Sequence, residues 1–122
     1  PSGTTQRDVE TESAFILKVG EGVELAGGEL VIHLTEVADD SRCPTDAVCV
    51  WQGDAVAALQ VVSAGVEHAL RLHTNPGKAT GPGHADVGAY RIVFLKLAPE
   101  PLAGVSIPQG DYRVTLRIEA NP

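Results

Sequence analysis

The chain has no methionine at any of its 122 positions, one tryptophan, two tyrosines, two phenylalanines and two cysteines. Each shortage excludes something. With aromatic residues at 4%, the core has to be built from aliphatic side chains, and the one indole, Trp51, is needed for packing rather than display. Two cysteines cannot supply a four-cysteine zinc site within one chain, and their spacing is not the Cys-x-x-Cys of a redox motif. Basic residues are also scarce: nine Lys and Arg stand against sixteen Asp and Glu, a formal net charge of −7. That balance repels nucleic acid and anionic lipid, both of which need clustered Lys and Arg, and the sequence shows no basic stripe. No apolar run approaches the roughly 20 residues of a membrane helix, so no transmembrane segment is expected. The missing methionine includes position 1, which leads us to expect a processed end with a signal peptide removed upstream.

Signatures of catalysis are absent as well. There is no Gly-x-Ser-x-Gly elbow and no His-Glu-x-x-His, and Gly77-Lys78-Ala79-Thr80 lacks the first half of a phosphate loop. The sequence therefore nominates no catalytic residue, no enzyme activity, no metal site and no cofactor.

What is present reads as β-structure. Apolar residues at 43%, charged residues at 20%, thirteen glycines and eight prolines describe one turn-rich folded domain. Residues 1–12 are polar and unpatterned, as a flexible tether would be, and 13–122 form the domain. Phe15, Leu17 and Val19 alternate before Gly20-Glu21-Gly22; Val23 and Leu25 follow. Leu30, Ile32 and Leu34 alternate with Val31, His33 and Thr35. Asp54 to Val62 is small and apolar on both faces, as a central strand would be. It pairs into a hairpin with a segment in which Val66, Leu70 and Leu72 share a face. Tyr90, Ile92 and Phe94 open a strand that ends at Pro99-Glu100-Pro101. The cleanest alternation sets Tyr112, Val114, Leu116 and Ile118 inward, with Arg113, Thr115, Arg117 and Glu119 outward. Residues 75–88 are left as a long unpatterned loop, a length that in compact domains is either functional or mobile. The expected fold is all-β, an antiparallel β-sandwich of about six to eight strands, with a barrel-like closure as the variant.

The informative segment runs from Asp39 to Asp54 and holds both cysteines, the tryptophan and four aspartates. Cys43 and Cys49 read as a disulfide closing a short loop, which the chain-entropy model values at about 2.4 kcal/mol for about seven residues. The alternatives are a metal site that recruits two histidines from elsewhere, or two free thiols. Trp51, two residues after Cys49, would share its face on a strand and pack beside the disulfide. Asp39, Asp40, Asp46 and Asp54 could hold a calcium ion on an adaptable loop, but their spacing is not that of an EF-hand, and Asp before a turn more often bonds local backbone. Arg42 neutralises one carboxylate in this reading, or else presents itself to a trypsin-like enzyme as an inhibitor loop would. Of the four histidines, His68 and His73 face opposite sides of an extended strand, whereas His33 and His68 could meet across strands; His84 stands apart. Asp39, Asp40, Arg42, Asp46 and Asp54 are thus the candidate binding loop.

Asp40-Ser41-Arg42-Cys43-Pro44 and Cys49-Val50-Trp51-Gln52-Gly53 resemble a family of small bacterial secreted proteins and lipoproteins. Tyr90-Arg91-Ile92-Val93, Leu97-Ala98-Pro99-Glu100-Pro101 and Asp111-Tyr112-Arg113-Val114-Thr115-Leu116 extend that resemblance over most of the chain from Phe15 onward. The resemblance implies an extracytoplasmic setting (secreted, periplasmic or lipid-anchored) and the disulfide, and it supplies no catalytic residues. The function expected is a non-catalytic module that binds a protein, a glycan or another envelope component through loops at one end of the sandwich. A metal-dependent protein (calcium or zinc) or a hydrolytic enzyme using the Asp-rich loop or the histidines is the alternative.

Overall fold

The computed structural model describes residues 7–50, 52–77 and 80–121. Nine strands are present among them: β1 (Arg7–Val9), β2 (Ala14–Leu17), β3 (Gly22–Leu25), β4 (Leu30–Ala38), β5 (Val56–Ser63), β6 (Val66–His73), β7 (His84–Val87), β8 (Tyr90–Ala98) and β9 (Arg113–Ala120). They form a five-stranded sheet in the order β1-β3-β4-β5-β6 and a four-stranded sheet in the order β2-β9-β8-β7. The two sheets make an all-β sandwich, open rather than closed into a barrel. Every pairing is antiparallel except that of β1 with β3, which is parallel.

The core follows from strand periodicity. Val114, Leu116 and Ile118 are buried, and the residues between them are half-buried on the outer side, as the sequence pattern predicts. From the other sheet Ile32, Leu34, Leu59 and Leu72 meet them. Two bulges break the period, one between Leu34 and Glu36 and one between Phe94 and Lys96. An extra residue resets the phase, so Val37 and Leu97 return to the interior while Leu95 is pushed outward. The β5–β6 hairpin turns at Ala64-Gly65, where both residues have positive φ (49° and 81°), the backbone that a two-residue hairpin following the strand twist requires.

Three expectations change. Arg7–Val9 lies within the segment read as a tether, yet it pairs with Val23–Leu25 and extends the first sheet; Glu12 is likewise tied to β9 by its backbone N–H donating to Ile118 O at 2.8 Å. The 75–88 segment contains β7, whose four residues pair with β8; its alternation is too short to stand out among glycines and prolines. With these additions the strand count is nine rather than six to eight. Val66 is exposed rather than inward, because it sits at the hairpin tip beyond the reach of the second sheet. Trp51, expected in the core, lies outside the described residues.

Leu116 is completely buried at the centre of the sandwich, opposite Phe15 on one side and Phe94 on the other. Leu116→Ala should lower the unfolding free energy by about 2–5 kcal/mol, read from urea denaturation curves.

Candidate functional site

At one end of the sandwich the chain leaves β4, turns at Asp39 (φ 52°) and immediately forms a polar knot. The Asp40 carboxylate accepts from Arg42 Nε at 2.8 Å through Oδ1 and from Arg42 Nη2 at 2.8 Å through Oδ2, and Oδ2 also accepts from the Tyr112 hydroxyl at 2.7 Å. Arg42 Nη1 reaches across to donate to Leu97 O at 3.1 Å. The backbone N–H of Arg42 donates to Asp40 Oδ1 at 3.3 Å, the local turn bond that Asp favours. One carboxylate thus fastens the end of β4, in the first sheet, to β8 and to the start of β9 in the second.

The electrostatics agree with this geometry. Burial opposes ionisation of Asp40, but the hydrogen bonds from Arg42 and Tyr112 and the adjacent guanidinium charge outweigh it and hold the carboxyl below its ordinary value. Arg42 is shifted upward, first by its hydrogen bond to Asp40. Burial, then the bond to anionic Asp40, pushes the Tyr112 phenol up to about 12.

The disulfide loop hangs from this knot. Cys43 and Cys49 are bonded to each other, with Cα atoms 6.0 Å apart. At the neck, Ser41 N–H donates to Asp54 O at 2.6 Å and the Ser41 hydroxyl accepts from Asp54 N–H at 3.1 Å. The two backbones come so close that a Cβ on Gly53 would collide with the Ser41 carbonyl, so only glycine fits there. The tip is tied sideways to the segment after β8: Thr45 N–H donates to Pro101 O at 2.9 Å and Ala103 N–H donates to Asp46 Oδ1 at 2.9 Å. A third loop is pinned by Asp54, whose carboxylate meets His73 Nδ1 at 2.6 Å and accepts from Asn75 N–H at 2.9 Å. Burial works against that carboxylate's charge, and the bonds from His73 and Asn75 overcome it, leaving its pKa lowered.

The four aspartates of the candidate loop therefore have four separate sets of partners. Asp39 pairs with Arg71 at 3.1 Å, Asp40 with Arg42 and Tyr112, Asp46 with the backbone of Ala103, and Asp54 with His73 and Asn75. No group of three or more His, Cys, Asp or Glu able to hold a metal occurs among the described residues. Arg42 does not project towards a protease: its side chain is 13% exposed and bound on three sides. His33 stands opposite Gln60 and His68 opposite Val61, so they lie on opposite faces of the first sheet and do not meet. His68 and His73 also face opposite ways, as their spacing requires.

The sequence reading missed three features. Tyr112 was read only as core, yet its hydroxyl belongs to the knot; a lone tyrosine opening a strand after a turn was the available signal. The sequence marks Pro99-Glu100-Pro101 only as the end of a strand, whereas these residues open the second wall of the loop end. The register also gathers Arg91, Lys96, Arg113 and Arg117 on the outer face of the second sheet, a basic cluster that linear inspection did not show, although Asp86 and Glu119 pair with two of them.

Apolar exposure concentrates at the same end. Of seven exposed large apolar residues among those described, Val48 and Val50 belong to the disulfide loop and Leu102 and Val105 to the tied segment. Beside them runs a shallow groove of about 380 Å³ lined by Pro44, Pro101, Leu102, Val105, Ile107 and the knot residues. No protein-family model, curated protein or solved structure matches the chain.

The knot has a pH signature. Asp40, with its pKa lowered, contributes stability that is present above the unfolded carboxylate value and lost as acid titrates the folded one. Tyr112, with its pKa raised, contributes stability that is present below about pH 10 and lost as pH rises towards 12. Tyr112→Phe should remove the alkaline part of that loss, and Asp40→Asn should cost about 1.5–3 kcal/mol at neutral pH, both read from urea denaturation across a pH series.

Proposed function

We propose that this chain is a non-catalytic extracytoplasmic binding module whose contact surface is the loop end built on the Asp40–Arg42–Tyr112 knot. The observation that carries the reading is the exposure of Val48, Val50, Leu102 and Val105 on two loops that are fastened to each other. Scattered exposed valines need no explanation, but a group of them on a rigid, concave-edged rim is characteristic of a surface that another molecule covers. A disulfide, a cross-loop bond pair and the neck contact at Gly53 hold that rim before any ligand arrives, so little ordering entropy is lost on binding. The disulfide suits an oxidising compartment, and the resemblance to secreted and lipid-anchored bacterial proteins points the same way.

The enzymatic alternative is less well supported. Its best nucleus is the Asp54–His73 pair, but His73 Nε2 faces Gly81 so closely that even a Cβ there would lie 2.5 Å away. That packing crowds the ring nitrogen on its Gly81 side.

The reading is tested by placing a benzophenone-bearing residue at Val48 or Leu102, and at Val66 on the hairpin tip as the control, in the producing cell. Discrete ultraviolet-induced adducts at the first two positions and none at Val66 are expected. Adducts equally absent from all three, in folded protein, would remove the loop end as the binding surface.

A further inference from the structure

The tip of the disulfide loop has the attributes of a peptide segment offered to a protease cleft. Val48 is fully exposed (102%) and Val50 nearly so (93%), so the side chains on both sides of Cys49 project into solvent. Val48 and Cys49 lie in no strand or turn, and among the described residues no backbone hydrogen bond engages Val48, Cys49 or Val50. With no backbone partner among the described residues, their N–H and C=O groups suit the edge of an extended-peptide cleft, the way a strand is added to a sheet. Flexible segments with these features are substrates; this one is held. Cys49 is bonded to Cys43, and Thr45 and Asp46 are fixed to Pro101 and Ala103 just behind the tip.

We infer that Ala47-Val48-Cys49-Val50 is a substrate-like inhibitory loop for a serine protease whose specificity pocket takes a small aliphatic side chain, with Val48 in that pocket. This assignment rests on the loop end being the binding surface. It replaces the Arg42-centred version, because Arg42 is sequestered while Val48 is offered. In the cleft the protease serine oxygen adds to the Val48 carbonyl carbon. The bond to Cys49 nitrogen then breaks as that nitrogen takes a proton. The new amine does not diffuse away, because Cys49 stays joined through Cys43 to the fragment that ends at Val48. It re-attacks the acyl carbon, expels the serine oxygen with return of the proton, and restores the intact loop. Retention of the leaving amine is what distinguishes an inhibitor from a substrate here. Leu102 and Val105 on the adjoining segment supply a second apolar contact, and the only charges on the two segments, Asp46 and Glu100, complement an enzyme with a basic rim.

The experiment titrates the folded, oxidised chain against pancreatic elastase, whose pocket is small and apolar, and follows hydrolysis of a chromogenic peptide with valine at the cleavage position. Stoichiometric inhibition is expected. Val48→Asp should weaken it at least ~100-fold, as loss of a central hot spot does, and Val48→Arg should transfer inhibition to trypsin. Both variants lie on a fully exposed position, and an unchanged melting temperature confirms their folding. Unaffected elastase, cleavage at Val48–Cys49 without inhibition, or inhibition indifferent to Val48→Asp would each overturn the assignment. If elastase is unaffected but a benzophenone at Val48 still forms its adducts, the inhibitor assignment alone falls; loss of both removes the binding surface as well.

Discussion

One carboxylate organises the functional end of this protein. Asp40 receives two guanidinium bonds and a phenolic bond, and through Arg42 it reaches the backbone of β8. The contact between the two sheets is mostly apolar, which is strong but non-directional; beside the knot, the Gln109 side chain adds a directional pair, accepting from Val37 N–H at 2.9 Å and donating to Val37 O at 2.8 Å. A charged, hydrogen-bonded cluster is directional, and one that is nearly shielded from water is costly to leave half-made. The chain enters the disulfide loop two residues later, so the loop's direction of departure is set by the knot.

Around that anchor the loops are layered outward. The neck at Ser41, Gly53 and Asp54 closes the base, the disulfide closes the tip, and the bonds to Pro101 and Ala103 brace the side. Asp54 looks both ways, its backbone closing the neck and its carboxylate holding His73 and Asn75. Several polar groups at this end are thus committed to holding backbone in place, while Val48, Val50, Leu102 and Val105 face outward.

Much of the sandwich was legible in the sequence because the strands facing a common core obey a period of two; Val114, Leu116 and Ile118 announce themselves. The bulges at Leu34/Glu36 and Phe94/Lys96 were not legible, since a phase reset looks like the end of a pattern. β1 and β7 escaped notice because strands of three and four residues at sheet edges bury too little to leave a clear alternation. At the site, Arg42 is expected from the sequence to neutralise one carboxylate of the loop, and the fold makes that carboxylate Asp40, two residues away. Tyr112 and Leu97 were not foreseen, as they are 72 and 55 residues away from those partners and nothing in composition signals so distant a hydrogen bond. The aspartates were read as one cluster because they are near in sequence, but the fold deals them to different tasks.

The close approach of Gly53 to Ser41 has a consequence for what this scaffold can become. The backbone is pinched at the base by Ser41, Gly53 and Asp54, and a second closure, the Cys43–Cys49 bond, lies just beyond it. The tip between Cys43 and Cys49 is thereby set apart from the strands by two successive closures. Such a doubly closed loop is an acceptor site: a foreign segment spliced between Cys43 and Cys49 inherits a closed base while Arg42 and the neck stay in place.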